Sequence, residues 1–591
     1  MQKAEVVLGV LRERGERKLP CEQLYRQMFN KDLYLTAYGN IYSNQGAMTP
    51  GASGETADGM SEAKIEQIIG LMRQERYRFS PARRTYIPKK NGKLRPLGMP
   101  SWSDKLVGEV VRILLEAFYD PQFSDNSHGF RRGRGCHTAL RHIDTAWTGT
   151  AWFIEGDVTD CFGSLDHEIL LGILAEKIHD NRFLRLIRNM LKAGYLEDWE
   201  YRETLSGCPQ GGVVSPVLSN IYLHKLDEYI EQELIPQYTR GTSRRYNPEY
   251  DRTRKRLSRA RKNGDRAAAR DLEKKALELP SHDPADPGYR RIRYVRYADD
   301  TLLGFNGPKA EAEEIKAKTA VFLRETLGLE LNEAKTLITH ARTQRARFLG
   351  YDITVQHCNA RLTGGKREAN GKIALKVPPD VIKAQCARYR RHGKPSGRRE
   401  LQNNDDYDIV RLYGAEYQGV VNYYLLAQDV WKLNTLWWHS ATSMLKTLAA
   451  KHHSTVTKMA ARHKAKVKTR NGLRTCFTAK RKRPGKKDLV ARSGGIVLRR
   501  DRRAEIRDPR PAPAAYPRKE LISRLRTRRC ELCETGTTVA VHQVTGLKAL
   551  GQPGPGQPAW AALMAKIRRK TLIVCAPCHD LIHANPVTHA A

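Results

Sequence analysis

The chain has 591 residues, too many for a single hydrophobic core, so three or four domains are expected. Lys plus Arg number 103 against 64 Asp plus Glu, a net charge of +39; basic residues recurring along the whole length point to a nucleic-acid partner, because each phosphate contacted releases condensed counterions. No run of about 20 apolar residues is available to span a membrane, residues 1–30 lack the apolar centre of a signal peptide, and eleven cysteines are few for a disulfide scaffold of this length.

In chain order, residues 60–80 (SEAKIEQIIGLMRQERY) read as a helix, 84–88 as a strand and Asn91-Gly92 as a tight turn. An amphipathic helix over 103–119 and a buried strand over 151–157 follow, the strand ending on an aspartate. A helix is expected over 217–235. A basic, polar insertion over about 237–291 should hold one charged helix that meets nucleic acid. Residues 291–306 (RIRYVRY-ADD-TLLGF) read as a β-hairpin, followed by a helix over 309–327 and strands near Leu337 and Phe348. Residues 377–453 are helical in pattern and aromatic-rich between Tyr413 and Trp438. Residues 464–517 are strongly basic with Pro and Gly breaks and read as a linker or DNA-binding segment. The last 65 or so residues form a separate small module.

The chemistry starts at Tyr297-Ala298-Asp299-Asp300. Adjacent carboxylates at the tip of an apolar hairpin repel one another, and divalent cations offset that repulsion. Nucleotidyl transfer uses two such cations, one at the primer 3′-hydroxyl and one at the leaving pyrophosphate. A single hairpin cannot enclose both, and Asp157, closing the strand Phe153-Ile154-Glu155-Gly156-Asp157, supplies the third carboxylate. Phe162, five positions on, places a ring where a ribose 2′-hydroxyl would clash, which favours dNTPs. Near the C-terminus, Cys530/Cys533 and Cys575/Cys578 form two CxxC pairs, the spacing of a structural Cys₄ zinc site. His542, His579 and His583 surround them, the last two four apart on one helix face.

Several ordered blocks carry a family resemblance: DLYLTAYGNIYSNQGAMTPG, RTYIPKKNGKLRPLGMPSWSDKLV, SHGFRRGRGCHTAL, EGDVTDCFGSLDH, SGCPQGGVVSPVLSNIYL, RYVRYADD, LELNEAKT and RFLGYDI. Nearly end to end, the chain resembles bacterial group II intron-encoded proteins, which are reverse transcriptase-maturases with an HNH endonuclease. The resemblance implies an α+β chain built around a right-hand polymerase. An N-terminal extension and the start of the fingers would occupy 1–83, with fingers and palm over 84–370. A helical thumb or maturase (X) domain would follow over 371–463, then a basic DNA-binding segment over 464–520 and a zinc-stabilised ββα module over 521–591.

It also implies site roles. Lys89 and Arg95 would grip the incoming triphosphate. Gln210 and Gly211 would line the nucleotide pocket, and Lys335 would protonate or neutralise pyrophosphate. In the thumb, Lys432, Lys446 and Lys451 would meet RNA. Two Mg²⁺ ions in the polymerase site, one in the HNH site and a structural Zn²⁺ are the implied cofactors. Intron RNA in a lariat ribonucleoprotein, target DNA and dNTPs are the implied partners, in a bacterial cytoplasm and on the nucleoid; monomer and dimer both stay open. Three departures stand out. Gly163 and Ser53 replace acidic or polar residues of the family. His542-Gln543 replaces a pair of histidines, leaving open whether His542 is base or ligand, and whether the module cleaves DNA or only binds it.

Overall fold

The computed structural model describes residues 2–587 apart from 89–91, 93, 198–199, 203–205, 208–211, 284–285, 359–368, 470–471, 484, 507–519 and 551–556. Its centre is a four-stranded antiparallel sheet. Strand Asp300–Asn306 lies between Arg291–Tyr297 and Trp152–Asp157, and Ile338–His340 flanks the latter. Leu302, Leu303, Phe305, Phe153 and Ile154 are buried, so both faces of the central pair are covered. One face meets helices Trp102–Tyr119, Ser215–Tyr229 and Lys309–Leu327, and the other meets the thumb. Ser101 caps the first of these helices by accepting from the Asp104 N–H, and Leu106, Val107, Val110, Leu114 and Phe118 form its apolar face.

The helix expected over 60–80 runs only from Glu62 to Arg73. Ser61 caps it, and Glu75 turns left-handed (φ 56°) just beyond it, directing Tyr77 inward to hydrogen-bond Asp104 at 2.7 Å. The fingers sheet pairs Ala82–Pro88 with Leu94–Met99 antiparallel and with Tyr195–Glu197 in parallel.

The basic insertion holds two helices, not one. Pro248–Lys262 and Arg266–Glu278 are separated at Gly264 (φ 73°), and Asp265 caps the second. Uninterrupted charge hid the break, because neither helix has a long apolar stripe to mark its phase. Arg261–Glu273 (3.1 Å) and Lys275–Glu249 (3.6 Å) tie the two together.

The basic stretch after 463 also differs from expectation. Much of it is a three-stranded antiparallel sheet, Lys464–Thr469, Gly472–Arg483 and Lys486–Gly494, and not a linker. Its signal is the alternation Lys464-Ala465-Lys466-Val467-Lys468-Thr469. Ala479, Ala491 and Phe477 pack into the same core as the thumb helices Asp406–Tyr423 and Asn434–Lys451, so thumb and sheet are one unit. Of the thumb aromatics, Tyr413, Tyr417 and Tyr424 are buried. Tyr423 and Trp437 pack against that core, and Trp431 stands 62% exposed.

Candidate active sites

The register between Trp152–Asp157 and Asp300–Asn306 sets Asp157 directly opposite Asp300. Cross-strand neighbours lie about 5 Å apart at the backbone, so the two carboxylates and Asp299 share one site at the hairpin tip. The tip itself is braced. Ala298 is left-handed (φ 55°), and Gly129 lies against it so closely that a Cβ there would sit 2.1 Å from the Ala298 nitrogen. Arg296 is wholly buried; it donates to the Ala298 carbonyl at 2.9 Å and forks onto Asp227 at 2.6 and 2.7 Å.

Burial, then repulsion from Asp299 and Asp157, pushes the Asp300 carboxyl up to about 6. Burial and Asp157 raise Asp299 as well, against the opposing pull of Arg95 and Lys335. Lys335 Nζ stands 2.8 Å from Asp157 Oδ2, and that hydrogen bond raises the lysine's pKa. Two carboxyls raised above their ordinary range by burial and mutual repulsion suit divalent cations. Phe162 sits edge-on to Phe130 with ring centroids 6.2 Å apart. A Cβ at Gly163 would meet Asp160 Oδ2 at 2.2 Å, so the Asp160 carboxylate fills the space that a side chain at 163 would take. Lys89, Gln210 and Gly211 lie outside the described residues.

Among the described residues, two clusters have every candidate ligand atom within 4.8 Å of the others, one wholly in the C-terminal module and one that joins it to the N-terminal part. The first is Cys530, Cys533, Cys575 and Cys578, with Cys533 Sγ 3.6 Å from Cys575 Sγ. Hydrogen bonding with Thr535 draws Cys533 down to about 6, while burial and the neighbouring thiols push Cys578 up. Such crowding fits a tetrahedral thiolate site for zinc.

The second cluster is His542, His579, His583 and a residue from the far end of the chain, Asp58. His542 is on strand Val539–Gln543, and His579 and His583 are on helix Ala576–Ala584. Asp58 Oδ1 is 3.1 Å from His542 Nδ1, and Asp58 Oδ2 is 3.4 Å from His579 Nε2 and 2.8 Å from His583 Nε2. Burial opposes ionisation of Asp58, but His542, His579 and the Gln543 N–H outweigh it and hold the carboxyl far below the usual range. Asp58 in turn raises His579.

Residues 87–353 match the reverse transcriptase (RNA-dependent DNA polymerase) family, 376–490 the type II intron maturase family, and 530–579 the AI2M/AI1M-like HNH endonuclease family. The group II intron-encoded protein LtrA of Lactococcus lactis subsp. cremoris is 38% identical over 586 residues, covering 95% of this chain and 96% of its own. The chain belongs to the group II intron-encoded proteins. A 91 kDa protein in the cob intron of Schizosaccharomyces pombe is 34% identical over 584 residues, covering 96% of this chain and 70% of its own.

This group II intron-encoded protein is an RNA-directed DNA polymerase that also carries a maturase domain and an HNH endonuclease domain. No helix among the described residues is long and apolar enough to cross a membrane.

The strand register brings Asp157 opposite Asp300, and the four cysteines and the three histidines each gather within 4.8 Å. The three thumb lysines expected to meet RNA each have a partner within the chain as well. Lys432 pairs with Asp429 at 2.9 Å, Lys446 donates to the Pro395 carbonyl at 2.8 Å, and Lys451 pairs with Asp406 at 2.7 Å. Sequence reasoning also missed Asp58, Gly129, Asp227 and Arg296. Parity could have found Arg296, which shares its strand face with the buried Ile292 and Tyr294. No local signal points to Asp58, which lies 525 positions from its partner His583.

Proposed function

We propose that this protein copies its intron RNA into DNA by two-metal nucleotidyl transfer, primed from a DNA strand that its own nuclease module has nicked, and that its thumb helps the intron RNA reach its splicing fold. The observation that carries the polymerase reading is the register that sets Asp157 opposite Asp300, beside Asp299. Magnesium ions held there would lower the pKa of the primer hydroxyl and neutralise the leaving pyrophosphate. The chain's own residues do the rest. Asp157, Asp299 and Asp300 would hold the cations, and Arg95 and Lys335 place positive charge where a triphosphate would lie. Phe162 excludes a 2′-hydroxyl. Exposed Trp431 and Trp438 on the thumb offer ring faces for unpaired bases. The substrate places this work in the bacterial cytoplasm, on the nucleoid when the target is DNA.

Primer extension on an RNA template with Mg²⁺ and dNTPs tests the reading directly. The native chain should extend with dNTPs and discriminate against rNTPs, and Phe162→Ala should narrow that discrimination by about 10–100-fold. Equal use of both nucleotides by the native chain would overturn the assignment.

The Cys₄ cluster is proposed to bind one zinc ion, which stabilises a module whose own core is small. Cys575→Ser should drop bound zinc from one per chain to none by atomic absorption and abolish amide protection over Val539–Gln543, while primer extension persists. Retained zinc in that variant would remove Cys575 from the ligand set.

A further inference from the structure

The nuclease module does not hang free of the polymerase. Met60 and Ser61 pair antiparallel with Val541 and Ala540, adding a third strand to the module's two-stranded sheet. The Gly59 N–H donates to the Val541 carbonyl at 2.9 Å. Leu521, Ile522, Leu525, Val539, Val541 and Ile573 share one hydrophobic core with the N-terminal helices. Arg526 pairs with Asp32 at 3.1 Å across the same seam. Gln543, the departure from the family's paired histidines, belongs to this docking. Its side chain donates to the Tyr42 carbonyl at 2.8 Å, and its backbone N–H donates to Asp58 Oδ1 at 2.7 Å. Its side chain therefore serves the seam.

We propose that Asp58 is a ligand of the nuclease's metal ion, so that this cation site is shared between the N-terminal part of the polymerase and the HNH module and is complete only when the two are docked. The proposal rests on the nuclease reading above and goes beyond it. Three imidazole nitrogens and one carboxylate lie within 4.8 Å of one another. His542 is 5% exposed, and its Nε2 has no hydrogen-bond partner among the described residues. One carboxylate has only two oxygens to face three rings, and His579 is left at 3.4 Å. Only the His583 contact is a hydrogen bond, and a divalent cation at the centre would engage one atom from each of the four side chains. Three imidazoles also set the class of ion. Nitrogen donors suit a transition-metal dication such as Zn²⁺, Fe²⁺ or Ni²⁺, whereas Mg²⁺ prefers oxygen and keeps its water; Mn²⁺, a hard ion, serves here as the paramagnetic probe. The donor set therefore favours an imidazole-binding transition-metal dication over the expected Mg²⁺.

The test is Mn²⁺ binding to the full, zinc-loaded chain, read from the electron paramagnetic resonance signal of free Mn²⁺. An Asp299→Asn/Asp300→Asn background removes the polymerase carboxylates as competing ligands. Asp58→Asn keeps the shape and the oxygen that Gln543 binds, and His583, 56% exposed on its side chain, can be truncated to Ala without opening the core. Each substitution should weaken Mn²⁺ binding by about tenfold or more, and the double variant should be scarcely weaker than the worse single, since both act on one ion. Zinc content, unchanged at one per chain, reports that the module is folded. If His583→Ala weakens binding while Asp58→Asn leaves it unchanged or tightens it, Asp58 is a bystander or a plug, and the proposal falls while the nuclease metal site stands. If neither substitution matters, no ion binds here and both readings fall.

Discussion

Asp300→Asn should abolish primer extension and, in the same chain, raise thermal stability in buffer without Mg²⁺. Both effects come from one carboxylate. Burial first, and then Asp299 and Asp157, lift the Asp300 carboxyl from 3.8 to about 6. A carboxyl raised on folding binds its proton more tightly in the native state. Its contribution to stability is complete below pH 3.8 and is lost as pH rises through about 6. At neutral pH the ionised group therefore costs of order 2–3 kcal/mol, an upper figure because the site is partly open to water. Asparagine removes that cost and should raise the melting temperature by several degrees, at about 2–4 °C per kcal/mol. The native chain should lose stability between about pH 4 and 6, the span over which Asp300 is ionised in the unfolded chain but still protonated in the folded one, and Mg²⁺ should restore it. The variant should respond weakly to both. Extension should fall roughly 10³-fold or more, since a lost metal ligand removes several kcal/mol of transition-state stabilisation. A variant that melts no higher than the native chain without Mg²⁺ would show that the cluster is not held under repulsion.

Much of this was legible in the sequence, for reasons that differ by site. The polymerase triad could be read because local pattern does the work. An apolar strand ending at Asp157 and a hairpin turning at Ala298 each announce themselves, and pairing two such strands brings their tips together. The four-cysteine cluster could be read from ligand spacing alone. The two insertion helices were counted as one because charge without apolar periodicity carries no phase. The strands over Lys464–Gly494 are hard to see in a stretch that reads as a linker or DNA-binding segment, because lysine dominates the alternation. Asp58 was illegible in principle. It reaches the nuclease only because Met60–Ser61 adds to the edge of a distant sheet, and a two-residue strand leaves no periodicity to detect. For the thumb lysines, charge composition predicts a nucleic-acid partner for the whole chain but does not show that each ammonium group also has a carboxylate or carbonyl partner in the fold.

Asp227→Ala should destabilise the polymerase by about 3–5 kcal/mol, the usual consequence of stranding one member of a buried ion pair. Asp227 and Arg296 are both fully buried, and the guanidinium forks onto both carboxylate oxygens. The Tyr294 hydroxyl donates to the same carboxylate at 2.8 Å, so the substitution orphans a second polar group. Arg296→Met/Asp227→Leu removes both charges at similar volume and should recover much of the lost stability, because it restores the balance between desolvation and pairing. It should not recover activity. Arg296 also donates to the Ala298 carbonyl, at the left-handed residue that aims Asp299 and Asp300, and methionine cannot make that bond. The double variant should therefore melt near the native chain, yet need more Mg²⁺ for half-maximal extension and turn over more slowly at saturation. That split separates a positioning role from a structural one. If the double variant regained both stability and native Mg²⁺ dependence, the pair would be packing alone, and the aim of the hairpin tip would be set by Gly129 and the strand register without it.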